Sequence, residues 1–168
     1  MYVLCLVISG VFLSHFSLTH KENGLLLVID GREVDAMGMV QEKWVRLTRH
    51  CERVATIEPN AQQHLEIQQT IQAYSPPSSE SAQIVSLLAT GDWSLAQVQF
   101  KDLLPAVVLI QKVEGVQKIV PNAIWSGETH PWLAAPYIRE YISSKVPQAP
   151  KALIECFDPV FAQGQPVH

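Results

Sequence analysis

The residues best suited to do chemistry together lie in the stretch Trp125-Ser126-Gly127-Glu128-Thr129-His130-Pro131-Trp132. His130 is the right type for a general base, Glu128 for orienting it and Ser126 for a nucleophile. Their closeness in sequence argues against a triad, and no Gly-x-Ser-x-Gly elbow surrounds Ser126. A plainer reading is a loop held by two aromatic plugs, with Gly127 for a tight turn. No catalytic residue is therefore assigned. Trp125, Ser126, Glu128, His130 and Trp132 form a candidate interaction loop, because binding groups collect in loops at sheet ends and tryptophan is a favoured interface anchor.

Other chemistries find little support. His50, His64 and His130 are scattered, with no His-Glu-x-x-His motif, so no metal site is expected. Asp30, Glu33 and Asp35 lack the acid spacing of a calcium loop and read as turn and helix-start residues. Gly24, Gly31 and Gly38 are too far apart for a phosphate loop, and no cofactor is expected. The formal net charge is -4 and there is no Lys/Arg run, which removes the electrostatic basis for a nucleic-acid partner.

The cysteines are Cys5, Cys51 and Cys156, with neither a Cys-x-x-Cys pair nor zinc spacing. Cys5 lies in an apolar head, which leaves Cys51 and Cys156 as a candidate disulfide if the domain resides in an oxidising compartment. The alternative is two ordinary buried thiols.

The elements that would position these groups follow from periodicity. Leu25–Ile29 is a short apolar run between turn signals and reads as a strand. Val34, Met37, Val40, Trp44, Leu47, Cys51 and Val54 recur every three or four residues. This predicts a helix over about 33–56 with that stripe in the core, capped by Asp30 or Asp35. A second helix is expected over about 60–74, with His64, Ile67, Ile71 and Tyr74 on one face, and a third over about 79–90, ended by Gly91. The period then changes, and 93–125 reads as an antiparallel meander in which Gln97 and Gln99 face water and 123–125 is a fourth short strand. A C-terminal helix is expected over about 136–146, begun by Pro136 and ended by Pro147. The whole is an α+β domain: a β-meander packed against helices, behind an apolar N-terminal segment.

That segment, Tyr2–Leu13, carries no charge, and the first Lys, Arg, Asp or Glu is Lys21. It reads as a membrane anchor, as a signal peptide, or as two buried strands, Tyr2–Ile8 and Val11–Ser17. The expected organisation is an apolar segment over 1–20, one domain over 21–158 and a tail over 159–168.

Two functions follow as expectations. One is a non-catalytic, membrane-tethered protein of the cell envelope, periplasmic or extracellular, acting through protein-protein contacts in an assembly. The other is a soluble or secreted domain, or a cytoplasmic one if the segment is core, binding a small apolar ligand or acting on it. At the level of arrangement alone, helices against a curved antiparallel sheet resemble the cystatin-like and nuclear-transport-factor-like α+β cones, whose pockets lie between sheet and helix. Trp93, Phe100, Trp125, His130 and Tyr141 would line such a pocket.

Overall fold

A computed structural model describes residues 15–160. The alternative strand Tyr2–Ile8, most of Val11–Ser17, and 161–168 of the expected tail lie outside them. The class is α+β, built on two antiparallel sheets.

The smaller sheet has the order β1-β2-β3: β1 (Phe16–Lys21), β2 (Gly24–Ile29) and β3 (Arg32–Val34). Leu25–Ile29 is thus a strand, as its composition implies. Asp30 and Gly31 join β2 to β3, both with positive φ (48° and 78°). This left-handed pair closes two-residue hairpins because its twist matches the strands. The pair Glu114-Gly115 repeats the device further on, with φ of 54° and 83°.

The larger sheet has the order β4-β5-β6-β7-β8. Its strands are β4 (Ala55–Thr56), β5 (Gln83–Thr90), β6 (Trp93–Gln99), β7 (Ala106–Val113) and β8 (Val116–Ser126). The meander over 93–125 is therefore present. It is extended by β5, where the 79–90 window predicts a helix. The reason is burial on both faces. Leu87 packs on one side with Ala96, while its neighbour Leu88 packs on the other with Leu95. A strand covered on both sides shows a continuous apolar run and no period of two. Gly91 sits in the β5–β6 hairpin, not at a helix end. The segments 116–120 and 123–125 are one strand: pairing jumps from Val108↔Ile124 to Ile110↔Ile119, and the residues between bulge outward around Pro121 and Asn122. A bulge and a proline on an edge strand blunt its tendency to recruit another strand.

Four helices complete the described fold: α1 (Ala36–Thr48), α2 (Gln62–Gln72), α3 (Ala134–Lys145) and α4 (Lys151–Glu155). Helix α2 lays Ile67 and Ile71 on one face of the large sheet, against Ala96, Val98, Val108 and Ile110. Helices α3 and α4 lay Ile138, Ile142, Leu153 and Ile154 on the other, against Leu95, Val107, Leu109 and Trp125. Ser79 does not start a helix. Its buried hydroxyl donates to the Gln72 carbonyl at 2.7 Å and accepts from Ser75 N–H at 3.0 Å, closing the end of α2. Gln97 does not face water either. It is 1 % exposed, and its amide makes two bonds to the Val160 backbone, at 2.8 and 2.7 Å. The start of the expected tail is thereby pinned to the sheet.

Cys51 and Cys156 are joined by a disulfide, with Cα atoms 5.8 Å apart and a sequence separation of 105. Closing a loop of that size in the unfolded chain stabilises the fold by about 4–5 kcal/mol on the chain-entropy account.

Candidate functional site

The predicted helix over 33–56 is realised as α1, but shorter and turned over. Its inward positions are Asp35, Gly38, Glu42, Val45 and Arg49, at the three–four spacing of one helix face. The stripe expected in the core points outward: Met37 is 67 % exposed, Val40 65 %, Trp44 68 % and Leu47 82 %. Cys51 and Val54 lie beyond the helix end at Thr48.

Polar groups produce this inversion. Asp35, of which 7 % is exposed, accepts from Gly38 N–H at 2.7 Å through Oδ1 and from Leu133 N–H at 3.0 Å through Oδ2. One carboxylate thus caps α1 and ties it to the loop before α3. A side chain at position 38 would collide with that carboxylate, so glycine is required there.

Further along, Arg139 of α3 is 5 % exposed and uses each part of its guanidinium. Nη1 donates to Glu42 Oε2 at 2.5 Å, Nη2 to Asp158 Oδ1 at 2.5 Å, and Nε to the Phe157 carbonyl at 2.9 Å. Arg49 grips Asp158 at 2.9 Å, and Arg46 pairs with the other oxygen of Glu42 at 2.5 Å. A planar fork with several donors suits such a junction where lysine would not. Arg49 leaves the helix in an extended conformation to reach Asp158, and Cys51 follows it to Cys156. These bonds end α1 well before Pro59.

Burial pushes the Asp158 carboxyl up. The hydrogen bond and charge of Arg49, with the charges of Arg139 and Arg46, pull it down further, so its pKa lies below the ordinary value. Glu42, by hydrogen bond and by charge, pushes the Arg46 guanidinium up.

The expected interaction loop is divided by the structure. Trp125 is a core residue of β8, 5 % exposed, packed with Ile138 and Ile142. Ser126 ends β8 and is exposed, as are Glu128 and His130. No hydrogen bond joins these three among the described residues. Trp132 is half-buried, its ring lying over Gly24 at the β1–β2 turn, where an added Cβ would meet it at 3.7 Å. Trp132 also borders a shallow depression with His20, Lys21, Glu22 and Asn23. It is open, without the enclosure a small-ligand site provides.

The residues expected to line a pocket do not converge. Trp93, Trp125 and Tyr141 pack on the α3 side of the sheet, Phe100 packs on the α2 side, and His130 is exposed. His64 is buried on α2 as its periodicity implies, and its Nδ1 has no hydrogen-bond partner among the described residues. Among the described residues, no group of three His, Cys, Asp or Glu is arranged to hold a metal ion.

The described chain is thus a disulfide-linked α+β domain whose most conspicuous surface is an outward apolar helix face. No protein-family model, curated protein or solved structure matches it.

Two outcomes follow. Trp125→Ala removes a core plug and costs about 3–5 kcal/mol in denaturant unfolding, whereas Trp132→Ala costs about 1 kcal/mol. The second concerns pH. Because the Asp158 pKa is depressed in the folded state, its contribution is present above the unfolded value of about 4 and is lost as pH falls through the folded value. Unfolding measured from pH 6 down to pH 2 should show stability declining below about pH 4, with a shallower decline in Asp158→Asn.

Proposed function

We propose that this chain is a non-catalytic domain held at a membrane by its N-terminal apolar segment, in an oxidising compartment of the cell envelope, where it works through protein-protein contacts in an assembly. The carrying observation is the face of α1. Met37, Val40, Trp44 and Leu47 follow the i, i+3, i+7, i+10 pattern by which a helix enters a partner's apolar groove. Monomeric proteins seldom leave such a row in water, and tryptophan, methionine and arginine are enriched at interfaces. Exposed Lys43 and Arg46 border the row, so a groove with an acidic rim is the complementary partner.

The disulfide supports the oxidising compartment, because such bonds persist mainly outside reducing cytosol. Among the described residues no helix is long and apolar enough to cross a membrane. The observation that supports a tether is the uncharged Tyr2–Leu13 stretch.

The test is the native mass of the full chain extracted from its own membranes in mild detergent. The expected result is a discrete complex heavier than the single chain, reduced to the single-chain mass by Met37→Ser/Trp44→Ser/Leu47→Ser with an unchanged unfolding temperature. A parent protein that runs as a single chain, or a variant that keeps its complex, contradicts the reading.

A further inference from the structure

The strand register sorts every side chain of the small sheet onto one of two faces. Phe16 pairs with Ile29, Leu18 with Leu27, His20 with Leu25, Leu27 with Val34 and Ile29 with Arg32. Directly paired residues share a face in an antiparallel sheet. One face therefore carries Phe16, Leu18, His20, Leu25, Leu27, Ile29, Arg32 and Val34. The opposite face carries Leu26 and Thr19, and Leu26 is 0 % exposed against the body of the domain. The first face is the outward one: Leu18 is 66 % exposed and Leu25 43 %.

Its chemistry is one-sided. Six of its positions are apolar, and its ionisable residues are His20 and Arg32, with no carboxylate. The acids of the hairpins are placed elsewhere. Glu33 lies on the inner face and holds Lys21 at 2.7 Å, Asp30 holds His15 at 2.6 Å in a turn, and Glu22 lies in the other turn. The uncharged stretch that begins at Tyr2 does not stop where β1 starts. It continues, interrupted by His15 and His20, through Phe16 and Leu18 to Lys21. Only Ser14 and His15 separate the Tyr2–Leu13 segment from this sheet.

We propose that the outward face of β1, β2 and β3 rests on the surface of an anionic lipid bilayer, with Leu18 and Leu25 in the interfacial layer and Arg32 against lipid phosphate. The proposal rests on the reading of the N-terminal segment as the membrane tether. A tether that runs directly into β1 brings this face within a residue or two of the lipid, at about 3.3 Å per residue. An apolar face whose own ionisable residues are His20 and Arg32, with no carboxylate, suits an anionic interface.

The test uses the full chain with vesicles of phosphatidylcholine and phosphatidylglycerol in a 7:3 ratio. Flotation reports the tether. Brominated phosphatidylcholine reports the sheet face, through a tryptophan placed at the exposed position by Leu18→Trp. The expected result is flotation, with emission of Leu18→Trp quenched by brominated lipid well beyond that of the parent chain. Leu18→Asp/Leu25→Asp should lower vesicle partitioning about tenfold, while Leu103→Asp, in an exposed loop, leaves it unchanged. Flotation without added quenching overturns the sheet-face proposal and leaves the tether standing. Failure to float overturns both. Unquenched emission that shifts with protein concentration assigns the face to a second copy and likewise overturns the proposal.

Discussion

The arrangement depends on one buried cation. The Arg139 guanidinium reaches from its own helix α3 to α1 and to the segment after α4, Nη1 donating to Glu42 of α1, and Nη2 and Nε to Asp158 and the Phe157 carbonyl of that segment. Removing such a charge from water is costly, and the carboxylates of Glu42 and Asp158 with the Phe157 carbonyl offset that cost only while all are in place. The same bonds decide which way α1 faces. Because Glu42 must meet Arg139 and Arg49 must meet Asp158, the polar side of α1 turns inward, and Met37, Val40, Trp44 and Leu47 are left outside. The disulfide then ties the chain just past α1 to the chain just past α4, which closes the same junction covalently.

This junction also explains where sequence periodicity was informative and where it misled. The spacing of Met37, Val40, Trp44 and Leu47 identifies a helix correctly, since periodicity reports that a face exists. It does not report what that face meets, and the assumption that apolar means inward failed on α1. The inversion is marked by a second row at the same spacing, Asp35, Gly38, Glu42 and Arg49, but its partners lie about a hundred residues away. The meander is legible from Trp93 to Trp125 because hairpin turns such as Glu114-Gly115 carry their own chemistry. The strand over 83–90 is not, because both of its faces are covered and it therefore lacks alternation. By type, Gln97 reads as a surface residue. Only the return of Val160 to its amide makes it a core residue. In the candidate loop, sequence proximity suggested one site, yet strand β8 carries Trp125 inward before the chain turns to expose Glu128 and His130.

A rigid support beneath an exposed apolar row has a functional consequence. A helix held by ion pairs, a capping carboxylate and a nearby disulfide loses little conformational freedom when a partner covers it, so more of the contact free energy appears as affinity. The body of the domain offers less: both faces of its large sheet are occupied by its own helices, and the residues that might have lined a pocket are spread across those two faces. What it presents outward is the α1 row and the small-sheet face, two apolar surfaces contributed by neighbouring stretches of chain.

The orientation of α1 is the claim on which this account stands, and comparing Leu47→Asp with Glu42→Leu in thermal unfolding tests it most directly. An outward Leu47 tolerates aspartate, so the unfolding temperature should stay within about 1 °C of the parent. Glu42→Leu leaves the buried Arg139 with one of its two carboxylates and should lower it by roughly 5–10 °C. Collapse of Leu47→Asp together with a gain in Glu42→Leu would mean that α1 buries its apolar row after all, and would contradict the account.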